Sequence, residues 1–191
     1  TYGRPLYTTS GKYGGGYSFN GVDDYVDCGN DSSLDITDAI TIEAWIYLED
    51  KDQSYGEEWK TIVGKGSFDT AYWMTVNPYS KIEVRLNNNG IISDSVLNLQ
   101  NWIYVAFTYN GSKRRIYING QIDKEDDYSQ TIGTNNDPLR IGNTFGGENY
   151  HLNGTIDEVR IYNRSLTAEE IRMHYLSEFS RYNSTEWRFY D

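Results

Sequence analysis

Ile42, Ala44, Ile46 and Leu48 alternate with Glu43, Trp45 and Tyr47 along residues 41–48. Side chains point to opposite faces at successive positions of a strand, so this run has one aliphatic face and one polar-aromatic face. Residues 81–87 repeat the pattern, with Ile82, Val84 and Leu86 opposed to Glu83, Arg85 and Asn87, and in residues 115–119 Ile116 and Ile118 oppose Arg115, Tyr117 and Asn119. Runs of the same kind, bounded by turn residues, fall at 17–20, 25–28, 61–64, 72–76, 102–109, 139–142 and 155–162. Asn110-Gly111 and Asn119-Gly120 mark hairpins that join three successive strands. Many short strands with one apolar face predict an all-β fold, an antiparallel two-sheet β-sandwich whose aliphatic faces form the core. One short C-terminal helix is predicted after them. Thr167 stands three residues before Glu170 as in a capping box, and Ala168, Ile171 and Tyr175 follow at helical spacing.

Two carboxylates interrupt the alternation. Asp157 shares a predicted core face with Val159 and Ile161, and Asp24 shares one with Val26 and Cys28. A carboxylate at the rim of an apolar face needs a cation, an arginine or several N–H donors. Bound Ca²⁺ is one solution, and capping of a turn by the carboxylate oxygens is the other. The residues leave the two open.

Composition narrows the functional classes. Eighteen Tyr, five Trp and eighteen Gly suit strands and tight turns. The net charge of −11 repels phosphate backbones and anionic lipid, so nucleic acid is not an expected partner. Lys113-Arg114-Arg115 is the one basic cluster and reads as a solvated strand start. No apolar run approaches the ~18 residues of a membrane span. The single cysteine, Cys28, forms no internal disulfide and reads as a small buried hydrophobe. Asn-x-Ser/Thr sequons at Asn30, Asn110, Asn153, Asn163 and Asn183 would place the chain outside the cytosol if used.

Several segments together resemble the laminin-G-like domains of the concanavalin A-like lectins. They are Phe19-Asn20-Gly21-Val22-Asp23-Asp24-Tyr25-Val26, Ile40-Thr41-Ile42-Glu43-Ala44-Trp45-Ile46-Tyr47, and Trp102-Ile103-Tyr104-Val105-Ala106-Phe107-Thr108-Tyr109 with Arg115-Ile116-Tyr117-Ile118-Asn119-Gly120 after it. Leu139-Arg140-Ile141-Gly142 and Gly154-Thr155-Ile156-Asp157-Glu158-Val159-Arg160-Ile161-Tyr162-Asn163-Arg164-Ser165-Leu166 complete the match. The resemblance implies a jelly roll over residues 1–178, with residues 179–191 leading toward a following domain. Such domains usually open with a further strand, which residues 1–18 do not display, so the first strand is expected to be missing or replaced. The resemblance also implies a structural Ca²⁺ near Asn20, Asp23, Asp24 and Asp157.

Three functional classes follow. The first is a non-catalytic carbohydrate-binding or adhesion module of a larger extracellular or cell-surface protein, with a glycan or a cell-surface protein as partner. Its candidate contacts are Trp45, Tyr47, Trp59, Trp73, Arg85, Tyr117, Phe145 and Tyr150, since aromatic rings stack on sugars and polar neighbours take the hydroxyls. Ordinary cross-strand pairing would produce the same faces. The second class is a structural spacer or assembly subunit, such as a surface-layer or pilus component. The third, glycoside hydrolysis, needs two carboxylates facing across the bond, and no strand carries them in the usual Glu-x-Asp-x-Glu spacing.

Overall fold

The computed structural model describes residues 3–49, 59–66, 70–144, 146, 150–181 and 187–190, with the backbone alone from residue 178 onward. Two antiparallel sheets face one another. The larger is seven-stranded, in the order β1-β2-β13-β4-β9-β10-β11, and the smaller is six-stranded, in the order β3-β12-β5-β6-β7-β8. Their strands are β1 (Leu6–Gly11), β2 (Gly14–Asn20), β3 (Val26–Asp27), β4 (Ile40–Leu48), β5 (Lys60–Lys65), β6 (Tyr72–Val76) and β7 (Ile82–Leu86). They continue with β8 (Asn89–Ile92), β9 (Trp102–Tyr109), β10 (Lys113–Ile118), β11 (Gln121–Asp127), β12 (Leu139–Ile141) and β13 (Asn153–Tyr162). Helix α1 (Ala168–Leu176) follows, and β14 (Glu178–Arg181) pairs with β15 (Trp187–Tyr190) as a separate hairpin.

Every run expected from alternation forms a strand, and three further strands join the sandwich. Strand β1 corrects the reading of the N-terminus. It pairs Leu6 with Ser18 and Tyr7 with Tyr17, so the seven-stranded sheet does have a strand ahead of the Phe-Asn-Gly segment. Alternation did not reveal it because Leu6 and Tyr7 are its only apolar residues and both are exposed. Strand β11 is a second strand that alternation did not reveal: Glu125, Asp126 and Asp127 lie on it opposite Arg115, Arg114 and Lys113. The basic cluster is therefore matched charge for charge. Arg114 is buried, with a fork of hydrogen bonds to Asp126 and its guanidinium 4.2 Å from the Tyr128 ring. Asn119 and Gly120, both at positive φ, turn β10 into β11 as their side chains predict. Cys28 is exposed rather than buried, although its N–H still donates to Leu139 O just beyond the end of β3.

The aliphatic faces meet as expected. Ile42, Ala44, Ile46 and Leu48 from β4, Val84 and Leu86 from β7, and Ile116 from β10 sit in one core between the sheets. Strand β13 departs from simple alternation. Asp157 lies opposite Trp45 and Arg160 opposite Glu43, so three steps on β13 match two on β4. This is a β-bulge, with Glu158 in the left-handed region at φ 52. The extra residue moves Asp157 to the outer face beside Trp45, correcting its expected place on the core side, while Ile161 returns to the core opposite Ile42. The Asp157 carboxylate accepts the N–H groups of Glu158 and Tyr13, so it caps the bulge and the β1–β2 turn.

Helix α1 has the predicted N-terminus. The Thr167 hydroxyl accepts the Glu170 N–H, and the Glu170 carboxylate accepts the Thr167 N–H. Arg164 also grips Glu170. The Arg164 guanidinium first, and then the Thr167 N–H, hold the Glu170 carboxyl down at about 2. This folded value lies below the ~4.3 of an unfolded glutamate. The contribution is therefore full above about pH 4.5 and fades as pH falls toward 2. Glu170→Gln keeps a capping acceptor but loses the charge. The gap in unfolding midpoint between wild type and this variant should narrow across that acidic window, and a gap independent of pH would remove the ion pair from the account.

Candidate functional site

Among the described residues, aromatic and ionic groups converge on the outer face of the six-stranded sheet. Register sets two rows there. Thr61, Thr75 and Glu83 lie side by side on β5, β6 and β7, and Gly64, Trp73 and Arg85 form the next row. Gly64 is required where it stands, since a Cβ there would come within 2.7 Å of Thr144 Oγ1. Thr144 donates to Gly66 O, and the Thr61 N–H donates to Tyr150 O, so the segment after β12 lies along β5. This brings Tyr150 to Trp59, their rings edge to face at 5.8 Å and both half-buried. Trp59 Nε1 donates to Glu83 Oε2 at 3.1 Å, and Arg85 Nε donates to Glu83 Oε1 at 2.8 Å. The Arg85 guanidinium in turn lies 5.4 Å from the centre of the buried Trp73 ring.

Tyr150, Trp59, Glu83, Arg85 and Trp73 thus form one continuous line. The two half-buried rings offer apolar surface, and the half-buried Arg85 supplies donors beside it, held in place by the buried Glu83 carboxylate. Four of the expected contacts, Trp59, Trp73, Arg85 and Tyr150, are brought together here, and Phe145 lies outside the described residues. Glu83 was missed as a contact, although its alternation with Ile82 and Val84 already placed it on this face.

The remaining contacts divide. Trp45 and Tyr117, expected on an open surface, are 4% and 1% exposed, because helix α1 covers that face of the seven-stranded sheet. Trp45 stacks on Tyr175 of the helix at 5.7 Å and meets Tyr13 and Tyr104 edge-on or tilted. Tyr47 lies on the same sheet face and pairs with half-buried Trp102 at 5.8 Å.

Beneath the helix is a polar cluster that sequence reasoning did not find. The fully buried Glu43 carboxylate accepts the Tyr104 hydroxyl at 2.7 Å, meets Arg160 Nη1 at 3.1 Å and faces His174 Nδ1 at 3.0 Å. Burial, and then the adjacent Glu43 charge, push the Tyr104 hydroxyl far above the ordinary phenol range. Tyr162 is raised by the same causes. These groups tie α1 to β4, β9 and β13.

The four residues expected around a cation separate into two places. Asn20 Oδ1 accepts the N–H groups of Val22 and Asp23, Asp23 Oδ1 accepts Asn20 Nδ2, and buried Asp24 accepts the Asn20 N–H. Asn20 pairs across strands with Asn153, whereas Asp157 lies four residues further along β13, roughly 13 Å away at strand rise. Asp157 therefore does not join the other three. Among the described residues no group of three or more His, Cys, Asp or Glu side chains is placed to hold a metal. The four residues do not fit one calcium ion.

The sequons also differ in access. Asn30, Asn110 and Asn163 are exposed, with the Asn30 amide oxygen held by Lys65 at 2.6 Å, whereas Asn153 is buried with its Nδ2 shielded. Asn183 lies outside the described residues.

The laminin-G family model described as the concanavalin A-like lectin/glucanases superfamily matches residues 20–172. The chain belongs to that family. The adhesion G-protein coupled receptor D1 of Homo sapiens is 29% identical over 85 residues, which is 42% of this laminin-G-like chain and 10% of the receptor. The chain thus spans about a tenth of that relative. Domain 4 of a GH43 extracellular arabinanase from Geobacillus stearothermophilus, in complex with arabinotriose, has a TM-score of 0.68 at 19% identity, covering 89% of this chain and 80% of that one. The CBM40 domain of Ruminococcus gnavus IT-sialidase, bound to alpha2,3 sialyllactose, has a TM-score of 0.66 at 12% identity, covering 83% of this chain and 95% of that one. At these identities the two structures share the fold with this laminin-G-like chain. No helix among its described residues is long and apolar enough to cross a membrane.

The Glu43 cluster makes the helix part of the domain's stability. Glu43→Ala should cost about 2–3 kcal/mol, because Arg160 loses a buried counter-charge, and Tyr104 and His174 lose a hydrogen-bond partner, while Arg160 keeps some access to water. Chemical denaturation would measure it, and an unchanged midpoint would mean that the helix is held by packing alone.

Proposed function

We propose that this domain is a non-catalytic carbohydrate-binding module of an extracellular or cell-surface protein, and that it binds neutral glycans on the outer face of the six-stranded sheet. The observation that carries this reading is the half-buried Trp59–Tyr150 pair, tied through Trp59 Nε1 to the Glu83–Arg85 ion pair. A pyranose or furanose ring has an apolar face for stacking and hydroxyls that both donate and accept. This line of residues answers both needs. The Glu83 charge is already balanced by Arg85, and the chain carries a net charge of −11, so neutral sugars suit the site better than sialates or uronates.

The solved structures with arabinotriose and sialyllactose support glycan binding on this fold, and the adhesion receptor supports an exposed, cell-surface setting. The non-catalytic reading is supported by the charge pattern. Among the described outward residues of β5, β6 and β7, Glu83 is the one carboxylate, and glycoside hydrolysis requires a facing pair. Flanking domains of the same protein would then supply any catalysis or anchorage.

Titration with a panel of neutral and anionic oligosaccharides tests the proposal. Trp59→Ala should weaken the best ligand by about 2 kcal/mol, roughly 30-fold in Kd, as expected for loss of a central aromatic contact. Glu83→Gln should weaken it less, and Trp102→Ala, on the other sheet, should leave it unchanged. Loss of binding in Trp102→Ala but not in Trp59→Ala would move the site to the Tyr47–Trp102 pair. Preference for anionic sugars would overturn the neutral-glycan assignment, and no binding across the panel would leave the domain as a structural unit.

A further inference from the structure

Lys65 ends strand β5 opposite Leu139, so its side chain lies at the end of the core between the sheets and is 1% exposed. A lysine is rarely buried so completely unless its charge is matched. Five oxygens surround its ammonium. Asn30 Oδ1 lies at 2.6 Å, Asp137 O at 2.7 Å, Asn135 O at 3.0 Å, Asn135 Oδ1 at 3.3 Å and Asp35 Oδ1 at 3.5 Å.

An ammonium has three donors, and the three nearest oxygens satisfy them. The other two exceed what a lysine needs. One of them, Asp35 Oδ1, is buried and has no hydrogen-bond partner. The donors are two backbone carbonyls, two side-chain amide oxygens and one carboxylate, from two stretches of chain more than 90 residues apart. Hard oxygens of this mixed kind, converging in excess of three, are the donor set of a calcium site, which takes six to eight oxygens.

We propose that this corner is a divalent-cation cage whose cation is provided by the chain itself, the Lys65 ammonium holding residues 30–35 and 135–137 together in place of a bound ion. Shortening Lys65 then empties a cage that calcium can enter. Only one of the five donors carries formal charge, so the affinity is low, in the ~10⁻⁴ to 10⁻³ M range of weak extracellular sites. Water would supply the remaining ligands. This inference does not depend on the glycan site, which lies on the outer face of the same sheet.

Thermal unfolding of the folded domain and its variants, in EDTA and in ~10 mM Ca²⁺, about tenfold above the weaker limit of that range, provides the test. Lys65→Ala should unfold at lower temperature than wild type in EDTA and recover much of the loss in Ca²⁺. Mg²⁺ should restore little, since it demands shorter bonds and octahedral geometry. Lys65→Met, which fills the cage with an uncharged chain, should be destabilised without a calcium response. The double variant Lys65→Ala with Asp35→Asn should lose most of the recovery. If Lys65→Ala does not fold in EDTA, refolding yield from denaturant against Ca²⁺ becomes the readout, with a rise expected. The proposal is overturned if Ca²⁺ raises Lys65→Ala no more than wild type, if Lys65→Met responds equally, or if refolding yield is indifferent to Ca²⁺.

Discussion

The single extra residue in β13 governs what the rest of the larger sheet can do. Without the bulge between Asp157 and Arg160, strict alternation from Ile156 would turn Arg160 into the core and Ile161 out of it. With it, Ile156 and Ile161 both face the core, opposite Ile46 and Ile42, while Asp157 and Arg160 both face outward, opposite Trp45 and Glu43. The bulge is held by Asp157 itself, whose two oxygens take the N–H groups of Glu158 and Tyr13. That places a guanidinium beside Glu43, lets β4 bury an acid on its outer face, and gives His174 of the helix a partner on the sheet. Helix α1 is therefore fastened by charge and hydrogen bonds as well as by the Trp45–Tyr175 stack.

Covering one sheet face has a consequence for the other. The helix and the aromatic cluster around Trp45 occupy the larger sheet, leaving Tyr47 and Trp102 as a half-buried pair beyond that cluster. Among the described residues, no α-helix covers the smaller sheet. Its outer face is lined instead by residues before β5 and after β12, which bring Trp59 and Tyr150 to Glu83. A rigid strand platform with side chains delivered by loops is a common way to build a recognition site, because the platform fixes geometry and the loops supply chemistry. Similar logic operates at the rim, where Lys65 holds two distant stretches to the end of β5 by hydrogen bonds to their oxygens.

Much of the fold was legible because a half-buried strand writes its orientation into every second residue. Ile42 to Leu48, Ile82 to Leu86 and Ile116 with Ile118 could be assigned to the core on that ground, and Thr167 with Glu170 announced the helix by the chemistry of its first turn. Strand β1 was illegible because an exposed edge strand has no apolar face to keep, and β11 because its charges satisfy an adjacent strand rather than a core. The bulge hid the true side of Asp157, since one inserted residue reverses parity without any change in composition. Trp45 and Trp73 looked alike as outward aromatics, yet both are buried, one under a helix and the other beneath Arg85.

The sequence by itself determined which positions alternate, where Asn-Gly turns close hairpins, where the helix starts, and that many short strands with one apolar face would build a two-sheet sandwich. These are local properties, fixed by side-chain period and by short-range hydrogen bonds. Only the tertiary structure decided which outward face the helix covers, which carboxylate meets which base, and that Glu83 rather than Asp24 or Asp157 lies beside the half-buried Trp59. Those outcomes depend on pairings between residues far apart in the chain, such as Glu43 with His174 and Trp59 with Tyr150. Nothing in the local pattern of either partner specifies the other; packing of the sheets, the helix and the loops brings them within reach.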